Sequence, residues 1–326
     1  MIPIAAIGAY YIDTILTVPH YPSEDAKQRA STLTKRPGGN CPNTLSVLSQ
    51  LLPRAPTHSS PLPLKFIGVL PAPTSPASDF IRASFDELVD LSGCIYREGE
   101  MEAAASYIVR SEESGSRTII NFNPLGEMGV GEFREGVGGM GNVGWWHFEG
   151  RIPDVTLQCV RYLRQSPETR HAKISVEVEK QGRDGLQELA KEADVVFYSH
   201  AWAKNQGHDD PEAFLRWQAS VCSRPKQLLF VTLGDQGAAA LDADHAEYFH
   251  RPAKLGGSKV VECEILFTVG AGDSFIAGLI YSLSYHDEWN LGATLEYANR
   301  LAGLKVCQEG FEGLGMKMGD ANLAWR

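Results

Sequence analysis

The sequence predicts an α/β fold, a three-layer α/β/α sandwich with a mostly parallel central sheet and a small β-sheet lid. Three observations carry that prediction. From residue 145 onward, apolar strand-like runs alternate with helix-periodic stretches, the pattern of a parallel sheet covered by helices on both faces. Two separated alternating segments, at about 13–36 and 102–122, read as hairpins outside that core. A small-residue turn, Thr268-Val269-Gly270-Ala271-Gly272-Asp273, runs straight into an apolar helix.

Taken in order, residues 2–12 read as a buried first strand closing on Asp13, where open α/β sheets usually bind ligands. A turn-forming Asp is the plainer alternative. Residues 14–18 and 29–34 flank a Pro-containing turn as an exposed hairpin. Gly38-Gly39-Asn40 and Asn43 precede and open a helix over 44–52. The glycines let backbone approach a ligand, and the two Asn side chains can bond hydroxyl groups, with Asn40 as a plain N-cap the alternative. Four prolines in 53–63 predict a surface loop or an insertion. A core strand over 65–70 and a helix over 78–91 follow, then the second hairpin, 103–109 with 117–122. The Gly-rich stretch 126–144 predicts a mobile loop. Strands are expected at 145–148, 173–178, 194–198 and 228–233, with helices near 154–165, 184–192 and 211–222. Two short strands near 237–242 and 246–250 and helices at 272–285 and 290–307 complete one domain over residues 1–326.

The glycines at 270 and 272 leave backbone N–H groups unshielded at a helix N-terminus, where the helix dipole favours an anion. Asp273 beside that spot repels a phosphate, so it makes sense as a base taking a proton from a hydroxyl about to attack one. An ordinary acidic residue in the first helical turn is the competing explanation. A net charge of −10 argues against nucleic-acid or anionic-membrane binding. Six scattered cysteines without a C-x-x-C pair show no zinc site or disulfide framework and suit a reducing, cytoplasmic setting. No apolar run approaches the length of a membrane span.

Asp13, Gly38-Gly39-Asn40, Gly234-x-x-Gly237 and Gly270-Ala271-Gly272-Asp273 occur in the order found in ribokinase-like carbohydrate kinases, the phosphofructokinase B family, which the chain resembles over nearly its whole length. Within that family it is most similar to the ketohexokinase group. The shared words are Tyr21-Pro22-x-Glu24-Asp25, Arg117-Thr118-Ile119, His147-x-Glu149-Gly150-Arg151, Ser175-Val176-Glu177-Val178-Glu179-Lys180, Asp194-Val195-Val196-Phe197 and Gln308-x-Gly310-Phe311.

The resemblance implies phosphoryl transfer from ATP, aided by Mg²⁺, to a sugar hydroxyl, with a ketohexose such as fructose as the acceptor. Another furanose or a nucleoside is the alternative acceptor. It implies Asp273 as catalytic base, an anion hole at Gly270, Ala271 and Gly272, sugar contacts from Asp13, Gly39, Asn40 and Asn43, and Arg117 reaching from the lid toward the sugar or the phosphates. Gly234, Gly237 and Asn299 would border the nucleotide, with an ordinary helix-surface Asn the alternative for Asn299, and the lid would serve as a homodimer surface. Glu149 and Arg151 read as a structural ion pair or as residues supporting the site from behind, and one of Glu177 and Glu179 should face the cleft. The sequence departs from the family where Phe267 replaces the usual Asp before the Gly-Ala-Gly-Asp turn, which a short insertion, 263–267, explains. That departure keeps open a degenerate homologue that binds ligands without turnover. The family's Asn-x-x-Glu metal-organising motif is also missing after Phe197, so the metal-binding residues are left open.

Overall fold

The computed structural model describes residues 2–53, 63–222, 224–253 and 269–322. Burial on both faces defines the first strand: β1 (Ile4–Ile7) is wholly apolar and wholly buried, as a central parallel strand should be. It does not run on to Asp13. After Gly8 the chain leaves the core and forms β2 (Tyr11–Val18), which pairs with β3 (Thr32–Gly38). The expected strand over 2–12 is therefore two elements in two sheets. Asp13 sits inside β2, opposite Arg36, rather than at the end of the first core strand. Continuous hydrophobicity hid the break, because a residue lining a lid is as apolar as one lining a core.

The chain continues through α1 (Asn40–Leu51), β4 (Leu64–Ile67), β5 (Val69–Pro71), α2 (Pro76–Ser84), β6 (Val89–Asp90), β7 (Ile95–Arg97), β8 (Ala105–Ser111) and β9 (Arg117–Phe122). Next come α3 (Val130–Val137), β10 (Trp145–Phe148), α4 (Pro153–Gln165), β11 (Lys173–Val178), α5 (Leu186–Glu192), β12 (Val195–Ser199), α6 (His200–Asn205) and α7 (Pro211–Val221). The last elements are β13 (Leu228–Thr232), β14 (Ala238–Asp242), β15 (Glu247–Arg251), α8 (Ala271–Tyr285), α9 (Leu291–Val306) and α10 (Leu314–Asn322).

The large sheet runs β15, β14, β13, β12, β11, β10, β1, β4, β6. From β13 to β6 every neighbouring pair is parallel, and β14 and β15 are added antiparallel. One apolar cluster packs α3, α4, α5 and α7 on one face, through Phe133, Leu163, Leu189 and Phe214. The other packs α1, α8, α9 and α10 on the opposite face, through Leu45, Leu279, Leu301 and Leu314. These are the three expected layers. The lid is a separate sheet in the order β3, β2, β8, β9, in which the two hairpins join through the parallel pair β2/β8.

Three expectations need correcting. The stretch 126–144 is not a loop throughout. It contains α3, because Phe133 is fully buried against Trp146 and Phe148, and that anchoring outweighs the flanking glycines. The helix expected over 78–91 stops at Ser84, where the chain turns to pair β6 with β4. Cys307 is disulfide-bonded, whereas Cys41, Cys94, Cys159 and Cys222 are free. The helices α6 and α10 were not anticipated. The loop expected over 53–63 lies largely outside the described residues, and Phe267 and the insertion expected at 263–267 lie wholly outside them.

Candidate active site

The strand period of two builds the roof of the site. Tyr11, Asp13, Ile15 and Thr17 of β2 face inward with Thr32, Thr34 and Arg36 of β3. Ser106, Ile108 and Arg110 of β8 and Arg117, Ile119 and Asn121 of β9 complete that face. The cavity beneath is about 1000 Å³. Its floor comes from the C-terminal ends of β11 to β13, with Glu177, Glu179, Phe197 and Thr232, and from the starts of α1 and α8. Ligands in open α/β sheets bind at that edge.

Two close approaches shape the floor. Gly39 has φ +105°, and a Cβ there would lie 2.2 Å from the Ala9 carbonyl oxygen, so only glycine lets the β1–β2 connection cross the start of α1. Asn40 and Asn43 are thereby set one turn apart at the head of that helix. Gly270 opens α8 with φ +83°, and a Cβ there would strike the Phe311 ring at 2.4 Å. No side chain caps α8, so its first-turn N–H groups are left for an anion.

Asp273, in that first turn, lines the cavity with only 9% of its surface exposed. Asn43 Nδ2 donates to its Oδ2 at 2.7 Å, a bond that spans α1 and α8. Burial, then the charge of Glu177, hold its carboxyl well above the ordinary carboxylate range, with Asn43 opposing. Such a carboxylate is a stronger base than a solvated one. A base must be ionised, so activity should fall as pH drops through this raised value. The acid limb of the kcat/KM profile is expected well above the range of a solvated carboxylate. A profile flat down to pH 4 would contradict a buried carboxylate base.

Asp13 accepts from Arg36 Nε at 3.4 Å, and burial raises its carboxyl. Asn40 Nδ2 donates to Glu177 Oε2 at 2.6 Å and to Glu179 Oε2 at 3.0 Å. Glu149 lines the cavity and accepts from the Ala9 N–H at 3.1 Å. It is not the partner of Arg151, which grips Glu127 at 2.7 Å and lies over the Tyr11 ring. Both Glu177 and Glu179 border the cavity, where sequence reading expected one.

The cavity therefore brings together Asp13, Gly39, Asn40, Asn43, Arg117, Gly270, Gly272 and Asp273, with Ala271 between its two glycine neighbours. It does not bring in Gly234, Gly237 or Asn299. Gly237 is held by its surroundings, since a Cβ would meet the Arg251 carbonyl oxygen at 2.1 Å. Asn299 is nearly buried and donates to that same carbonyl at 2.9 Å, tying α9 to the end of β15. Gly234 has open space where a side chain would stand. Sequence reading missed Arg36, Arg110 and Glu309 as lining residues. Arg36 was within reach of pattern alone, two residues before Gly38 on an alternating strand.

Mg²⁺ is a hard cation that takes oxygen ligands and is commonly shared with nucleotide phosphates. The carboxylates of Glu149 and Glu179 on the cavity wall supply that donor chemistry. Among the described residues, Cys41, His147 and Glu177 also converge, but they are buried. A thiol and an imidazole do not suit Mg²⁺.

Comparison with known proteins agrees with the geometry. The pfkB family carbohydrate kinase profile matches residues 1–313. Ketohexokinase of Mus musculus is 30% identical over 323 residues, covering 95% of this chain and 98% of the relative. Ribokinase from Giardia lamblia superposes with a TM-score of 0.76 at 18% identity, covering 100% of this chain and 99% of the other. Arabidopsis thaliana ribokinase complexed with ribose and ATP superposes at 0.74 with 17% identity, covering 98% of each chain. The chain belongs to the pfkB family of carbohydrate kinases, and is an enzyme of that kind.

Proposed function

We propose that this kinase transfers the γ-phosphoryl group of ATP to a primary hydroxyl of a ketohexose such as fructose. The observation that carries the reading is the placement of Asp273, a buried carboxylate on a lidded cavity beside an uncapped helix N-terminus. Asp273 takes the hydroxyl proton as attack begins, and backbone N–H groups at Gly270, Ala271 and Gly272 receive the charge that develops on the phosphoryl oxygens. Asp13, Gly39, Asn40 and Asn43 hold the sugar, and Arg117 reaches in from the lid. Glu149 and Glu179 on the cavity wall would hold Mg²⁺, which when bound would neutralise phosphate charge. The lid excludes water, which would otherwise compete for the phosphoryl group.

The likeness to a ketohexokinase supports a ketohexose over another furanose or a nucleoside. Gly234, with open space beside it, is the member of the Gly234, Gly237 and Asn299 set best placed to face the nucleotide. The outer face of the lid exposes Leu33, Tyr107, Ile120 and Phe122, a surface suited to a homodimer. Four free cysteines fit a cytoplasmic setting, against which the disulfide at Cys307 stands.

ADP release from Mg-ATP across a panel of ketohexoses, aldoses and nucleosides tests the substrate. Release that depends on fructose is the expected result. Release with a nucleoside alone reassigns the acceptor, and thermal stabilisation by ATP without any turnover indicates the degenerate binder.

A further inference from the structure

A chain of buried polar groups runs along β10 and β11 into the cavity, and no step described so far uses its inner half. Trp145 and His147 project to the same face of β10, and Ser175 and Glu177 to the same face of β11. Trp145 Nε1 donates to Ser175 Oγ at 2.8 Å, and Ser175 Oγ lies 3.0 Å from His147 Nδ1. His147 Nε2 lies 3.0 Å from Glu177 Oε1, and Glu177 Oε2 accepts from Asn40. His147 and Ser175 are fully buried, and Phe197 packs edge-on against the imidazole. Polar groups placed so deep in an apolar face cost stability unless each is bonded.

The chemistry of the far end orients the whole chain. An indole N–H can only donate, so Ser175 Oγ must accept from Trp145. The buried Ser175 hydroxyl proton then has one available acceptor among the described residues, His147 Nδ1. That leaves the imidazole proton on Nε2, where it donates to Glu177. Glu177 and Glu179 together take both amide protons of Asn40. Asn40 is left with its Oδ1 alone to offer the cavity, an acceptor that reads a hydroxyl proton.

We propose that His147 is a positioning residue for sugar recognition, held as the Nε2–H tautomer by Trp145 and Ser175 so that Glu177 orients Asn40 with its carbonyl toward the sugar. The proposal rests on the kinase reading above for its substrate, but not for its tautomer.

The test has two arms, both on the full chain. In ¹⁵N-histidine-labelled protein at neutral pH, with His147 assigned by its loss in His147→Gln, long-range ¹H–¹⁵N correlation should show a protonated Nε2 and a bare Nδ1. A protonated Nδ1 overturns the proposal. In the kinetic arm, His147→Asn places its amide near the Nδ1 position and loses the bond to Glu177, whereas His147→Gln reaches the Nε2 position and keeps a donor there. His147→Asn should raise the sugar KM about tenfold, the scale of one buried hydrogen bond to a charged group, with little change in the KM for ATP. His147→Gln should restore most of that loss. Equal behaviour of the two variants, or equal loss for ATP and sugar, marks a merely structural histidine and overturns the proposal. If the wild-type chain phosphorylates no sugar, the kinase reading fails and the tautomer measurement alone decides the relay.

Discussion

Replacing Asp273 by asparagine should lower kcat about 10²–10⁴-fold, the usual contribution of a positioned base, in a chain that still folds. Asn and Asp are close in size, and an amide oxygen at position 273 can still accept the hydrogen bond from Asn43. Burial raises the Asp273 carboxyl above its unfolded value. A carboxyl raised in this way binds its proton more tightly when folded, so its effect on stability becomes unfavourable as pH rises above the unfolded value. The asparagine variant has no such cost. It should melt at least as high as the wild type at pH 7.5, and the difference should vanish near pH 3. Near-native turnover in this variant would remove Asp273 from its role. A collapse in melting temperature would show that the carboxylate is there to hold α1 against α8.

The second large effect is expected at Gly39. Alanine there must adopt φ near +105°, a region that L residues rarely enter, and its Cβ would lie 2.2 Å from a backbone oxygen that cannot rotate away. Strain of that kind costs about 1–3 kcal/mol, and relieving it means shifting the β1–β2 connection away from the start of α1. Gly39→Ala should therefore lose about 3 kcal/mol of stability in urea unfolding, at the upper end of that range. Sugar affinity should fall more than ATP affinity, because Asn40 and Asn43 follow directly on α1. A variant within about 0.5 kcal/mol of the wild type, the spread of ordinary surface changes, would contradict the close approach.

Much of this was legible in the sequence, for identifiable reasons. β10 and β11 were bounded correctly because short runs rich in aromatic or β-branched residues, set between turn and helix signals, have few alternative readings. The lid strand β9 was found in full because Arg117 to Phe122 sits between Ser-Gly turn residues and a following Asn-Pro. The Gly-Ala-Gly-Asp turn announced the start of α8 because small residues before an apolar helix have one economical use. What failed to show was long-range. Nothing local says that β1 ends at Ile7, where Cys41 and Glu149 pack within 3 Å of the place a Gly8 side chain would stand. The Arg151–Glu127 pair and the anchoring of Asn299 to the Arg251 carbonyl likewise depend on chain crossings that spacing does not encode. His147 and Ser175 were visible only within two separate shared words and Trp145 only as the start of a strand; the relay through them acquired meaning from cross-strand register.

The most direct measurement follows the label from [γ-³²P]ATP and Mg²⁺ in the presence of fructose, for wild type and Asp273→Asn side by side. Label should pass to a sugar monophosphate with the wild type and fail to do so with the variant. Equal transfer by both proteins, or label released as inorganic phosphate whether or not sugar is present, would contradict a buried carboxylate that activates a sugar hydroxyl.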